Sequence, residues 1–249
     1  MKLFGLIGYP LGHSFSKKYF TEKFQKENIE GCKYELFPIE NIKQLNLLLE
    51  EHPDLTGINV TIPYKEKVLK YVDDLDETAA SIKAVNCIKI SRNSDKIFLK
   101  GFNTDCFGFE NSLKPLLKPW HSKALILGTG GASKAVEYVL KKLNIESTYV
   151  SRKSRKNILG YEQLDGTIIR DYKLIINGSP IGMSPDKESS PAIPYEFLTS
   201  DHLLYDLVYN PEVTLFMKKG SAKGASVING LPMLIGQAEK AWEIWNNEN

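Results

Sequence analysis

The chain has 249 residues, of which 42% are hydrophobic and 10% aromatic, a composition typical of globular proteins large enough for two domains. Its 32 basic and 30 acidic residues leave a net charge of +2, a balance that argues against a nucleic-acid-binding surface. Three cysteines without CxxC spacing favour reduced thiols over disulfides or a zinc site, and no apolar run reaches the roughly 18 residues of a membrane span. We therefore expect a cytoplasmic protein without a metal, a nucleic-acid partner or a membrane anchor.

The first hundred residues alternate predicted strands and helices. Strands are predicted at residues 3–8, 34–39 and 57–63, and helices at residues 16–30, 42–51, 65–72 and 77–84. Two apolar segments at 85–90 and 96–102 flank a polar stretch, which predicts a β-hairpin. The alternation indicates an α/β fold in which helices cover a largely parallel sheet.

Polar residues stand where several of these predicted strands end. They are Ser14, Ser16, Asn59, Thr61, Lys65, Asn86, Asn103, Thr104 and Asp105. Open α/β sheets place ligand-binding groups at such strand ends. Each residue also has a structural interpretation, such as Ser16 as a helix N-cap, or Asp105 as a cap before a helix predicted at 107–116. Spacing alone favours the structural interpretation in each case.

Residues 123–143 have the pattern of a strand, a glycine-rich turn and a helix. The apolar residues 124–127 are followed by GTGGAS, and apolar residues then recur at helical spacing. Such a turn and helix N-terminus present backbone N–H groups to a pyrophosphate. Gly128 and Gly130 occupy the first two glycine positions of the dinucleotide pattern, whereas Ser133 stands at the third. The segment predicts a dinucleotide site, with a merely structural turn as the alternative.

The next predicted strand, at residues 147–152, indicates which dinucleotide would bind. It ends in SRKSRK, which contains no Asp or Glu to accept hydrogen bonds from ribose hydroxyls. A guanidinium such as that of Arg152 can instead bind a 2'-phosphate bidentately. The pattern therefore favours NADP, and the alternative is a solvated basic loop.

Eight segments of the chain resemble those of one known family, in the same order. They are HSFS, NVTIPYK, AVN, GFNTD, GTGGAS, NGSPIGM, YDLVYNPEVT and GLPMLIGQA. With them the chain closely resembles the shikimate dehydrogenase family from end to end. The specific parts are NVT-x-P-x-K, NTD and the final G-x-x-ML-x-x-QA, because the glycine loop alone is shared with many other families.

This resemblance implies a function and a domain organisation. Members of the family reversibly reduce 3-dehydroshikimate to shikimate with NADPH, in the route to aromatic amino acids. The resemblance implies a substrate-binding domain at residues 1–105, completed by a last helix within 232–249, and a Rossmann-type NADP-binding domain at 106–231. The expected partner is a small-molecule substrate, and the expected assembly is a monomer or a homodimer.

The resemblance also assigns roles to individual residues. Lys65 and Asp105 match the catalytic pair. The residues matching substrate-binding groups are Ser14, Ser16 and Tyr209 for the carboxylate, and Thr61, Asn86 and Gln237 around the ring hydroxyls. The residues matching cofactor-binding groups are Gly128, Thr129, Gly130, Gly131, Ala132, Ser151, Arg152, Met183, Gly230 and Met233.

The chemistry of ketone reduction fits the role of the catalytic pair. A ketone that accepts a hydride becomes an alkoxide, which must be stabilised and protonated by a group within hydrogen-bond reach. We hypothesise that Lys65 delivers this proton, that Asp105 orients Lys65 and binds a hydroxyl, and that the two titrate as a coupled pair.

The chain departs from the usual pattern of the family at several positions. Lys17 stands in place of a proline, Phe20 and Thr21 in place of a His-Asn pair, and Lys83 where glycine is frequent. These departures concern the orientation of the substrate more than the reaction.

Two alternatives to a shikimate dehydrogenase stay open. One is a quinate/shikimate dehydrogenase of broader cofactor use, although the serine pair favours shikimate. The other is a non-catalytic homologue that senses shikimate, and the presence of both Lys65 and Asp105 argues against it.

Overall fold

The computed structural model describes residues 1–12, 14–93 and 96–247. The chain divides into two compact units, one formed by Met1–Thr104 with Ala238–Asn249 and the other by Asp105–Gln237. Both units contain a six-stranded sheet, and the fold is α/β, as predicted from the sequence.

The first unit contains a mixed sheet. Its elements are β1 (Lys2–Gly8), α1 (Phe15–Lys26), β2 (Cys32–Pro38), α2 (Gln44–Glu51), β3 (Leu55–Val60), a 3₁₀ turn (Lys67–Lys70), β4 (Asp74–Leu75), α3 (Glu77–Ile82), β5 (Cys87–Asn93) and β6 (Lys96–Phe102). The strand order is β2-β1-β3-β5-β6-β4. The first three strands are parallel, whereas β5 runs antiparallel to both β3 and β6. The predicted hairpin is therefore β5 and β6, while residues 94 and 95 at its tip lie outside the described residues.

The second unit contains a parallel sheet. Its elements are α4 (Thr104–Leu113), a 3₁₀ turn (Lys114–Leu116), β7 (Lys123–Leu127), α5 (Gly131–Lys142), β8 (Glu146–Ser151), β9 (Ile158–Gly160), a 3₁₀ turn (Tyr161–Gln163), α6 (Gly166–Asp171), β10 (Leu174–Asn177), a 3₁₀ turn (Tyr195–Phe197), β11 (Leu203–Asp206), α7 (Leu215–Ser221), β12 (Ser226–Ile228) and α8 (Leu231–Asn246). The first residue of α4, Thr104, is counted with the first unit. The strand order is β12-β11-β10-β7-β8-β9, with parallel pairing throughout. Read from the other edge this is the 3-2-1-4-5-6 order of a Rossmann fold, with its switch point between β7 and β10.

The last helix, α8, belongs to the second unit in its first half and to the first unit in its second half. In the first unit, Ala241 and Trp245 pack with Phe4 of β1 and Phe20 of α1 in an aromatic core on one face of the sheet. The Trp245 indole also donates a hydrogen bond to the Ile88 carbonyl at 3.0 Å. Burial of these rings fixes the helix to the sheet.

Two helices differ from their sequence predictions because contacts distant in the chain decide where they begin and end. The helix predicted at 107–116 begins three residues earlier, since the side chain of Asn86 accepts a hydrogen bond from the Thr104 amide at 2.7 Å. The helix predicted at 65–72 is only a 3₁₀ turn, after which the Asp73 amide joins the Leu99 carbonyl at 2.8 Å. Pairing with β6 ends this helix early.

The left-handed conformation at the end of α3 is found at one of the positions that depart from the family pattern. Lys83 has φ 55° and is the C-cap of the helix. Glycine adopts this conformation without steric cost, which gives a physical reason for glycine at this position in relatives.

Neither a membrane-spanning helix nor a metal-binding cluster is present among residues 1–12, 14–93 and 96–247. Within these ranges, no helix combines the length and the apolar character that crossing a bilayer requires. The same ranges contain no group of three or more His, Cys, Asp and Glu residues arranged to hold a metal ion.

Candidate functional site

The two serines after β1 lie at the start of α1. Ser14 is the N-cap residue, and its side chain makes no capping hydrogen bond. Ser16 lies inside the first turn, so the interpretation of Ser16 as the N-cap is wrong. Both side chains are half-buried. Neither hydroxyl is therefore accounted for as the cap of this helix.

Two of the departures from the family pattern lie beside Ser14. Lys17 and Thr21 line the same groove as Ser14, with a volume of about 460 Å³. Lys17 pairs with Glu35 at 2.6 Å, and the Thr21 hydroxyl donates to the Lys17 carbonyl. The replacements thus change the wall of a groove that contains a predicted substrate-binding serine.

A buried polar network connects the ends of β3, β5 and β6. The Asn59 side chain donates to the Asn86 carbonyl at 3.3 Å, and the Asn86 side chain donates to the Thr104 hydroxyl at 3.0 Å. Asn103 donates to the Ala84 carbonyl at 3.0 Å. All four side chains are at most 9% exposed. The amide of Asn86 is therefore held in one orientation by groups on both sides.

Lys65 is tied to this network through its backbone. Its carbonyl accepts a hydrogen bond from the Val85 amide at 2.8 Å, immediately before Asn86. The neighbouring Tyr64 is buried, and its hydroxyl donates to the Ile39 carbonyl at 2.7 Å. The backbone carbonyl of Thr61, which follows β3, accepts a hydrogen bond from the Tyr64 amide. The predicted residues Thr61, Lys65 and Asn86 are thus brought together within the first unit.

Asp105 lies in the first turn of α4 and is only 5% exposed. Its helix begins at Thr104, whose position Asn86 fixes. A carboxylate in a first turn is favoured by the amides and partial positive charge of the helix N-terminus. Asp105 is therefore a helix residue with a fixed backbone and not a turn residue before the helix.

Gln237 is carried by α8 where that helix contacts α4. A Cβ on Gly108 would lie 2.2 Å from the Met233 carbonyl and 2.9 Å from the Gln237 amide. Gly236 is equally close to Gly108. The absence of both side chains lets the two helix backbones touch, so that Gln237 and Asp105 are carried by helices in direct contact.

The glycine turn after β7 provides space for an anion at the N-terminus of α5. Gly128 has φ 108°, a conformation that strongly favours glycine, while a Cβ on Gly130 or Gly131 would meet no atom of the described residues within 4 Å. α5 begins at Gly131, so the first amides of the helix face this open space together with Thr129 and Ala132. Helix amides without intrahelical acceptors fit a pyrophosphate.

Ser133 occupies the position where the dinucleotide pattern has a small residue for close packing. It is fully buried, and its hydroxyl has no hydrogen-bond partner among the described residues. A Cβ on Gly178, after β10, would lie 2.5 Å from this hydroxyl. Glycine at 178 therefore makes room for the larger side chain at 133.

Arg152 lies next to the glycine turn, at the end of the neighbouring strand. The Gly128 amide donates to the Val150 carbonyl at 2.8 Å, which joins the two strand ends. The Ser151 hydroxyl donates to the Lys153 carbonyl at 2.9 Å and closes a turn around Arg152. The guanidinium is exposed. The sheet thus brings together the predicted pyrophosphate and 2'-phosphate groups.

The remaining predicted residues follow the other strands of this sheet. Met183, after β10, and Tyr209, after β11, are exposed. Gly230 precedes α8, and a Cβ there would lie 2.1 Å from the Leu207 carbonyl, so only glycine fits. Met233 is 8% exposed on the first turn of α8.

Comparisons with known proteins identify the family. A model of the shikimate dehydrogenase substrate binding domain matches residues 6–88. The shikimate dehydrogenase (NADP(+)) of Methanococcus maripaludis is 38% identical over 261 residues, which cover 98% of this chain and 91% of that protein. The chain belongs to the shikimate dehydrogenase family.

Solved structures agree with this membership. The shikimate 5-dehydrogenase of Thermus thermophilus, in complex with NADP(H) and shikimate, is 30% identical with a TM-score of 0.84 and covers 99% of this chain and 94% of its own. A quinate dehydrogenase from Corynebacterium glutamicum, in complex with NAD, is 25% identical with a TM-score of 0.85. The match covers 98% of this chain and 93% of that protein. The fold of this shikimate dehydrogenase family member is therefore shared with enzymes of both names.

Asp206, at the end of β11, was not among the residues singled out from the sequence. It is fully buried and accepts hydrogen bonds from Asn177 at 2.9 Å, Thr214 at 2.6 Å and the Val208 amide at 3.0 Å. Burial raises the pKa of the Asp206 carboxyl from 3.8 to about 6. The three hydrogen bonds lower the pKa and offset only part of this rise. The sequence signal for Asp206 is the segment YDLVYNPEVT, in which the resemblance assigns a role to Tyr209 alone.

This raised pKa predicts a pH-dependent stability. Because the folded-state pKa lies above the unfolded value, the proton on Asp206 contributes stability below about pH 4, and this contribution is lost as the pH rises through about 6. Relative to an Asp206→Asn variant, we expect the free energy of unfolding of the wild type to fall by about 2 to 3 kcal/mol between pH 4 and pH 7, at ~1.36 kcal/mol per pKa unit. Urea unfolding followed by circular dichroism measures both proteins.

The control is Asp186→Asn, at an exposed position of the same unit. It should show the same pH profile as the wild type. A difference between wild type and Asp206→Asn that does not vary with pH would contradict the assignment.

Proposed function

We propose that this protein is an NADP-dependent shikimate dehydrogenase, which reversibly reduces 3-dehydroshikimate to shikimate with NADPH in the synthesis of aromatic amino acids. The observation that carries the proposal is the likeness to relatives of that name across both units, with 34 to 38% identity over 97 to 99% of this chain among five of them. The quinate dehydrogenase is less similar.

The proposed substrate groups follow from the resemblance and have suitable chemistry. Ser14 and Ser16 can donate hydrogen bonds to a carboxylate, and neither hydroxyl is used to cap its helix. Asn86 has a fixed amide within the network that also holds Thr104. In this proposal Tyr209 joins the serines, while Thr61 and Gln237 bind ring hydroxyls.

The proposed proton transfer uses Lys65 and Asp105. As the substrate carbonyl becomes an alkoxide, Lys65 donates a proton to its oxygen, and in the reverse direction the amine accepts that proton. In this proposal Asp105 orients Lys65 and accepts a hydrogen bond from a ring hydroxyl. Asp105 lies in the first turn of α4, so the helix fixes the backbone that carries its carboxylate.

The proposed cofactor groups fit NADP. Open space over Gly130 and Gly131 at the start of α5 suits the pyrophosphate, and Arg152 at the adjacent strand end suits the 2'-phosphate. The reduced nicotinamide supplies the hydride when it is bound. Met183, Gly230 and Met233 are assigned to its neighbourhood by the resemblance. We assign the second unit as the NADP-binding domain and the first unit as the substrate domain. We also propose that the enzyme is located in the cytoplasm.

The experiment that tests the proposal is the initial rate of reduced-cofactor formation with shikimate or quinate, each with NADP or NAD. We expect turnover only with shikimate and NADP. Comparable rates with quinate or NAD would assign the protein to the broader quinate/shikimate dehydrogenases. Binding of shikimate without turnover in any combination would leave a sensor.

A further inference from the structure

We propose that Tyr34 is a positioning residue for the substrate, which holds Asn59 and, through it, Asn86 in the geometry that binding requires. The inference rests on the proposed function, since Asn86 is there assigned to the ring hydroxyls of the substrate. Tyr34 lies on β2 and is only 2% exposed, so a ligand cannot reach its side chain from the solvent.

The side chain of Tyr34 reaches from the edge of the sheet toward its centre. β2 is an edge strand, and its neighbour β1 separates it from β3, which carries Asn59. The Tyr34 hydroxyl nevertheless donates to the Asn59 side-chain oxygen at 2.8 Å. The ring therefore lies across β1, opposite Phe4 in register.

An aromatic stack fixes the position of this ring. The ring of Phe20 lies 4.6 Å from that of Tyr34 with an interplanar angle of 14°, and the ring of Trp245 lies 6.4 Å away. Phe20 is fully buried and is one of the departures from the family pattern. The apolar side chain at position 20 thus forms one wall of the slot that holds Tyr34.

The hydroxyl of Tyr34 sets the orientation of the Asn59 amide. Burial raises the pKa of Tyr34 well above its usual value, so the hydroxyl keeps its proton at neutral pH and donates a hydrogen bond to Asn59. Because Asn59 accepts this bond through its oxygen, its nitrogen faces the Asn86 carbonyl. One hydroxyl therefore sets the Asn59 amide and, through it, the contact with Asn86.

Loss of the Tyr34 hydroxyl would release the Asn59 amide. Without this hydroxyl, the Asn59 side chain can choose another rotamer or turn over, and its hydrogen bond to the Asn86 carbonyl is then lost. Substrate binding must then order both Asn59 and the segment that carries Asn86.

The test is a Tyr34→Phe variant, which removes the hydroxyl and keeps the stacked ring. We expect the KM for shikimate to rise about tenfold, the magnitude of one hydrogen bond, with kcat within about threefold and the KM for NADP unchanged. A merely structural role would reduce the fraction of active enzyme and hence the apparent kcat, but not the KM. The dissociation constant for shikimate, measured by calorimetry without cofactor, should rise by the same factor.

The matched control is Tyr205→Phe in the other unit. Tyr205 is equally buried, and its hydroxyl is hydrogen-bonded to Ser112 at 2.7 Å. The control should lose comparable stability while keeping the KM for shikimate. An unchanged or lower KM in Tyr34→Phe, or an equal rise in both variants, would overturn the positioning role.

The assay separates this inference from the proposed function. If the wild type binds shikimate without turnover, the proposed function is wrong, and the calorimetric comparison alone decides the role of Tyr34. If the wild type neither binds nor converts shikimate, both conclusions are overturned.

Discussion

Replacing Lys65 by methionine is expected to reduce kcat for shikimate oxidation by about 1000-fold, while the dissociation constant for shikimate stays within a few-fold of the wild type. Proton transfer by a positioned side chain contributes about 100- to 10,000-fold, and methionine keeps the length of the side chain without a proton to give or accept. The measurement is steady-state kinetics with NADP, together with calorimetric binding of shikimate.

The backbone around Lys65 gives the reason to expect a correctly folded variant. Lys65 is held through its carbonyl by the Val85 amide, and the buried side chain on this turn is that of Tyr64. Both contacts are kept when methionine replaces Lys65. Urea unfolding of Lys65→Met separates a loss of activity from a loss of stability.

Lys70→Met is the matched control for this prediction. Lys70 is an exposed lysine of the following 3₁₀ turn, so the same substitution there changes net charge equally. It should retain wild-type kcat. An active Lys65→Met variant would refute the assignment of Lys65, and a variant in which only the KM rises would make Lys65 a binding group.

The parts of the fold that follow from local patterns could be predicted from the sequence. The segment at 123–143 is a strand, a glycine turn and a helix because apolar spacing and glycine positions specify all three locally. The alternation of strands and helices likewise predicted an α/β fold, which the two sheets confirm. Such features depend on residues within one turn or one strand of each other.

Contacts between distant segments could not be predicted in this way. The start of α4 depends on Asn86, 18 residues earlier, and the hydroxyl of Tyr34 bonds to Asn59 across an intervening strand. No local signal separates a tyrosine that packs in a core from one that also holds a polar side chain. The polar residues at the strand ends were visible in the sequence, but the buried groups that orient them were not.

The glycine pattern at the cofactor side illustrates the same limit. Ser133 looked like a mismatch at the third small position, yet the packing it would obstruct is restored by Gly178, 45 residues later and just after β10. Close approach of a helix and a sheet requires a small residue on either partner, not on a particular one. The sequence pattern records only one side of that contact.

Replacing Arg152 by glutamine is expected to lower kcat/KM for NADP by about 100-fold and to leave kcat/KM for NAD within about threefold. Hydrogen bonds to charged groups contribute about 1.5 to 3 kcal/mol, and NAD has a hydroxyl where NADP has the 2'-phosphate. The wild type should also lose affinity for NADP as salt is raised, because the guanidinium is exposed and its attraction is screened. Initial rates with both cofactors at two salt concentrations test these expectations.

Arg155→Gln distinguishes a specific contact from the general charge of the basic loop. Arg155 lines a groove with Ser147 and Thr148, at the start of β8, whereas Arg152 follows the end of that strand beside Gly128. The two variants change net charge equally, but only Arg152→Gln should discriminate between the cofactors. Equal losses with NADP in both variants would mean that the loop attracts the cofactor only through its charge. A loss with NAD as large as that with NADP would instead make Arg152 a residue that shapes the loop.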